Sequence, residues 1–130
     1  MTNHKGGCLC GAITYNVAGP LRQIIACHCI QCRKTSGHYV AATQTATASL
    51  TISGAVTWYQ SSDKARRGFC GTCGSPLFWQ PGNRAVTSLF AGGLDGPTRL
   101  KIVKQIYTEA KGDYYALSHT ETSDQDPCAG

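Results

Sequence analysis

Apolar and polar residues alternate along much of this chain with a period of two. That spacing puts every second side chain on one face of a β-strand. In "AITYNV" the residues Ile13, Tyr15 and Val17 share a face, so the stretch is expected to be a strand. "GP" at 19–20 turns the chain into "LRQIIAC", a second strand that ends on Cys27. "IQCRKTSG" is expected to be a short turn of helix ended by Gly37. Strands are also expected in "YVAATQTA", "SLTISG", "AVTWYQS" and "KARRGFC". "PLFWQ" and "RAVTSLFA" flank a "PGN" turn and predict a hairpin. "RLKIVKQIYTEA" alternates at Leu100, Ile102 and Ile106 and predicts a late strand. No long apolar run has the helical period. The pattern therefore predicts a small all-β domain with two sheets packed together.

A chain of 130 residues fits one core and one domain. After "GDYYAL" the composition turns polar, so residues 1–117 are read as the domain and 118–130 as a loose tail. Hydrophobic residues make up 42% and charged residues 15%, the balance of a globular rather than a disordered chain. The net charge of +5 is mild and does not by itself call for nucleic acid. "MTNHKGGCLCGAITY" lacks the apolar core of a signal peptide, and no run reaches the roughly 18 apolar residues that span a membrane. The expected location is the cytoplasm. Disulfides are disfavoured there, so closely spaced cysteines point to metal or to chemistry.

Eight cysteines fall into three clusters and a remainder. Cys8 and Cys10 form C-x-C. Cys27, Cys29 and Cys32 form C-x-C-x-x-C. Cys70 and Cys73 form C-x-x-C in "RGFCGTCGSPLF", and Cys128 stands alone near the end. A disulfide framework is the plain alternative for an even count in a small chain. The i, i+2 pairs argue against it, because on an extended chain they point to opposite faces and bridge each other badly. If the thiolates bind zinc, their charge also removes most of the apparent basic excess.

Closed all-cysteine zinc sites need four ligands. One division joins Cys8, Cys10, Cys70 and Cys73 into such a site, which staples the N-terminal segment to the middle of the chain. Cys27, Cys29 and Cys32 then hold a second ion through three ligands and leave a fourth position for water or substrate. The rival division builds a zinc ribbon from Cys29, Cys32, Cys70 and Cys73 and leaves three cysteines without a role. Economy favours the first. His28, His38 or Cys128 can in principle close the second site, although His28 lies between two ligands and is expected to point elsewhere.

"GGCLCGAITY", "CHCIQCRKTSG" and "RRGFCGTCGSPLF", followed by "GGLD" at 92–95, resemble the glutathione-dependent formaldehyde-activating enzyme family, which includes the centromere protein V-type zinc domain. The resemblance spans roughly residues 6 to 117. It implies a tent-like fold of two or three antiparallel sheets around two zinc ions, and it supports the first division of the cysteines. It further implies a carbon–sulfur lyase that adds glutathione reversibly to formaldehyde, with Cys27, Cys29 and Cys32 at the reacting metal. The chain departs from the usual pattern at Gln105-Ile106-Tyr107, where relatives often carry His-Ile and an aromatic, and near Tyr114-Tyr115, where they often carry Trp.

Arg33, Lys34 and Arg67 are candidates to bind the carboxylates of an anionic thiol; Lys64 and Arg66 are further basic residues nearby in sequence. Trp58, Trp79 and the tyrosines are read as core and rim. The second reading of the chain is a zinc-stabilised module that binds protein or nucleic acid without catalysis. The aldehyde, the thiol and the oligomeric state are not specified by these patterns.

Overall fold

A computed structural model describes residues 3–117 and 121–123. The strands are β1 (Asn3–Gly7), β2 (Thr14–Ala18), β3 (Ile24–Cys27), β4 (Val40–Ala46), β5 (Leu50–Ser53), β6 (Val56–Gln60), β7 (Ala65–Cys70), β8 (Pro76–Pro81), β9 (Val86–Phe90), β10 (Ile102–Ile106) and β11 (Glu121–Ser123). One α-helix, α1 (Ile30–Ser36), follows β3. Gly37 caps it at φ 80°, a left-handed conformation that glycine adopts without steric cost. The all-β class and two-sheet plan follow the alternation in the sequence.

The smaller sheet has the order β1-β2-β5, and the larger has the order β11-β10-β3-β4-β9-β8-β7-β6. Ile13, Tyr15 and Val17 of the smaller sheet and its approach are buried against Leu77, Phe78 and Leu89 of the larger. The Tyr15 and Phe78 rings meet edge to face with centroids 5.5 Å apart. Strand register divides the larger sheet into two unlike faces. Gly68, Phe78, Leu89 and Thr43 align across β7, β8, β9 and β4, with Phe78 and Leu89 in the core shared with the smaller sheet. One residue along, Arg67, Trp79, Ser88 and Gln44 align across the same four strands. Alternation turns this second row to the opposite face.

Two features differ from the expectation. β1 was not foreseen, because "NHKGG" has no apolar alternation to reveal it. It is held instead by the backbone ladder to β2 and by a bridge from Gly6 to Leu94. A Cβ at Gly6 would lie 2.3 Å from the Gly93 carbonyl oxygen, so only glycine allows this approach. The "GGLD" segment thus closes against the strand that leads into the first cysteine pair. The second difference corrects the antiparallel reading. β10 runs parallel to β3, and β11 runs parallel to β10, although every other strand pair is antiparallel. Alternation reports which residues share a face but carries no information on strand direction. Residues 121–123, read as part of a loose tail, form this short β11. Among the described residues, no helix is long and apolar enough to cross a membrane.

Two cysteine clusters as candidate metal centres

Seven cysteines gather into two groups. Within each group the Sγ atoms all lie within 4.8 Å of one another. None of the seven is in a disulfide. The grouping follows the first division proposed from the sequence, and the ribbon that would join Cys29 and Cys32 to Cys70 and Cys73 does not form. Cys128 lies outside the described residues.

The first group contains Cys8, Cys10, Cys70 and Cys73. The N-terminal turn after β1 supplies two thiols, and the turn between β7 and β8 supplies two more. Cys8 and Cys10 are 3.7 Å apart, and Cys10 and Cys70 are 3.8 Å apart. A tetrahedron with Zn–S bonds of about 2.3 Å has edges of about 3.8 Å, so the donor set fits zinc in size as well as in number. Backbone amides support the sulfurs as thiolates. Ile13 N–H donates to Cys8 Sγ at 3.3 Å, and the Thr72 and Cys73 amides both donate to Cys70 Sγ at 3.4 Å. The Ser75 hydroxyl, with help from its backbone amide, lowers the Cys73 thiol to about 5. The Ala12 amide also favours ionisation of Cys10, yet desolvation and the neighbouring cysteines push that thiol up to about 11.

The second group contains Cys27, Cys29 and Cys32, each 3% exposed or less. β3 ends on Cys27, Cys29 is the N-cap of α1, and Cys32 lies in the first turn of that helix. Cys29 Sγ accepts the Cys32 amide at 3.3 Å, the position that Ser or Asp commonly fills at a helix start. Val40 and Ile106 pack around the three sulfurs, with Ile25, Ala42, Phe90 and Tyr107 at the margin. Among the described residues, no fourth Cys, His, Asp or Glu brings a ligand atom within the same distance of all three. Three soft donors in an apolar shell suit zinc, and among the described residues one position of a tetrahedral set has no protein ligand.

His28 does turn away. Its Nε2 is 2.6 Å from Gln105 Oε1, and its Nδ1 is 2.5 Å from the Tyr115 hydroxyl. Because Gln105 Oε1 can only accept, Nε2 carries the proton and Nδ1 accepts from Tyr115. Burial holds the imidazole below its ordinary pKa, which favours this neutral form. Gln105 and Tyr115 thus converge on one side chain, which lies between Cys27 and Cys29.

The three basic candidates separate. Arg67 is 6% exposed and reaches the cluster, with Nη2 3.8 Å from Cys32 Sγ. Its Nε and Nη2 also donate to Gln31 Oε1 at 3.3 and 3.2 Å. Arg33 instead donates from Nη1 to the Ala110 carbonyl at 2.9 Å, and Lys34 is exposed on α1. Arg67 is therefore a neighbour of the sulfurs, while Arg33 ties the helix to the loop after β10. Gln31 had no signal in the sequence, because its role depends on α1 lying over β7.

Two hollows adjoin this group. A cavity of about 30 Å³ is lined by Cys27, Cys32, Arg67, Trp79, Ser88 and Gln44 among others. Trp79 is 3% exposed, and its indole Nε1–H has no hydrogen-bond partner in the protein. An unmet buried donor costs about 1–3 kcal/mol. A wider groove, walled by Thr35, Trp58, Tyr59, Phe69 and Pro76, shares Arg67 and Phe90 with the cavity. A small chamber of mixed polar and apolar lining and a larger apolar groove thus meet beside the three-cysteine group.

The fold and its sites define a class: a two-sheet β domain braced by one four-cysteine cluster and carrying a second, three-cysteine cluster in its interior. The sequence pattern described as "Glutathione-dependent formaldehyde-activating enzyme" matches residues 3–110. The chain belongs to that family. It is also similar to a Rhodobacter sphaeroides protein of known crystal structure, with 28% identity and a TM-score of 0.55 over 73% of this chain and 91% of that one. No curated protein matches the chain at a significant level.

Proposed function

We propose that this protein is a zinc-dependent carbon–sulfur lyase that adds a small thiol, such as glutathione, reversibly to formaldehyde or a related small aldehyde. One observation carries the reading: three buried cysteine sulfurs converge beside a small chamber, and the described residues provide no fourth ligand to close the set. Family membership supports the same chemistry.

Cys27, Cys29 and Cys32 would hold the reacting ion, and Cys8, Cys10, Cys70 and Cys73 a structural one. A zinc ion bound by the three sulfurs supplies a Lewis-acid position that keeps a substrate thiol ionised at neutral pH and fixes its place. The protein's residues do the rest. Arg67 donates toward Cys32 and offsets the negative charge of three thiolates on a divalent ion. The apolar shell of Val40, Ile106 and Phe90 keeps water from the sulfurs, which strengthens each electrostatic contact. The groove beside Arg67 gives the body of the thiol a surface to lie on. Addition then gains chiefly from orientation.

The test compares zinc-loaded wild type with Cys29→Ser in an assay of thiol–aldehyde adduct formation above the spontaneous rate. Catalysis is expected in wild type and lost by at least about 100-fold in the variant, the scale of a removed metal function. A folded Cys29→Ser protein with full activity contradicts the proposal. Absence of catalysis in both, with thiol binding also absent, leaves the non-catalytic module as the better account.

A further inference from the structure

The row Arg67, Trp79, Ser88 and Gln44 crosses four strands on the sheet face that carries the cavity. Three members already have partners. Arg67 is held by Gln31, and Gln44 Nε2 donates to Ser88 Oγ at 3.1 Å. Trp79 alone in this row keeps a buried polar atom without a protein partner. An indole N–H can donate and cannot accept, so whatever meets it must present a lone pair. The cavity it lines also reaches Cys27 and Cys32.

We propose that the Trp79 indole N–H is the hydrogen-bond donor for the oxygen of the acceptor aldehyde when that carbonyl sits in the chamber between Trp79 and the cysteines. The assignment rests on the function proposed above and adds a residue to it. In the forward direction the thiol loses its proton and its sulfur lone pair forms the C–S bond. The carbonyl π pair moves onto oxygen, which takes one proton, so one thiol and one aldehyde give one S-hydroxymethyl product. Negative charge grows on that oxygen as the bond forms, and a fixed donor aimed at it stabilises the transition state more than the ground state. In the reverse direction the same N–H holds the hydroxymethyl oxygen while the C–S bond breaks.

Binding can be read without catalysis. The chain has two tryptophans, so zinc-loaded protein with ¹⁵N-labelled indoles gives two Nε1–H resonances, and Trp58 is an internal control. Formamide serves as an unreactive small carbonyl. The expected result is a saturable shift of the Trp79 resonance with formamide and no comparable shift at Trp58. An unmoved Trp79 resonance overturns the proposal. Trp79→Phe keeps most of the ring volume and removes the donor. It should lower kcat/KM for formaldehyde by about 10- to 100-fold while leaving the thiol dissociation constant within about twofold. Active wild type together with an unimpaired Trp79→Phe overturns this assignment and leaves the lyase reading standing. An inactive wild type whose Trp79 resonance still responds to formamide removes the lyase reading and supports the carbonyl site.

Discussion

Arg67 is a charged side chain held almost out of water, with its guanidinium against a neutral amide oxygen and a sulfur. Such a group is costly to bury unless negative charge opposes it, and Cys32 as a metal-bound thiolate would supply that charge. Arg67→Gln keeps polar contacts and removes the charge. It is expected to weaken metal binding at the three-cysteine site by about 10- to 100-fold and to spare the four-cysteine site. Chelator competition on the zinc-loaded proteins measures this, and equal weakening of both sites contradicts it. Gly68 makes a different demand, because a Cβ there would meet Trp58 Cζ3 at 2.8 Å and Val56 Cγ1 at 2.9 Å. Gly68→Ala should cost about 1–3 kcal/mol of stability through overpacking, read from denaturant unfolding, with zinc content unchanged. The two cysteine clusters were legible in the sequence because thiol spacing survives without a fold. Arg67 stood there as one of several basic residues. What singles it out is strand register, which sets its side chain beside Trp79 and under α1.

At the scale of elements, α1 and the two cysteine turns place the donors. Helix α1 is two turns long, begins on a sulfur acceptor and ends on a left-handed glycine. Gly37→Ala forces an L side chain into that conformation and should cost about 1–2 kcal/mol, a lower melting temperature at saturating zinc with both metals still bound. Unchanged melting contradicts the capping role. In the sequence Gly37 marked the end of the helix, and alternation located most of the strands, since each buries one face. It missed β1, whose residues contribute backbone bonds and close glycine contacts instead of apolar side chains. It also could not show that β10 returns parallel to β3, where Ile106 pairs with Cys27. That pairing brings Ile106 onto the sulfurs and Gln105 onto His28.

For the whole molecule, the four-cysteine site joins two chain segments sixty residues apart, from the turn after β1 to the turn after β7. Metal binding of this kind is also folding energy. Removing zinc with a strong chelator is expected to unfold or loosen the smaller sheet, seen as faster amide hydrogen exchange in β1 and β2; unchanged protection in the metal-free protein contradicts the staple. Protons compete with metal for thiolate, so zinc should be retained at neutral pH and released as the pH falls. The central claim is that the second ion takes a substrate thiol as its fourth ligand. X-ray absorption of the two-zinc protein tests it most directly. The average sulfur count per zinc should rise from about 3.5 without thiol to about 4 with saturating glutathione. A count that stays at its thiol-free value through saturation contradicts the account.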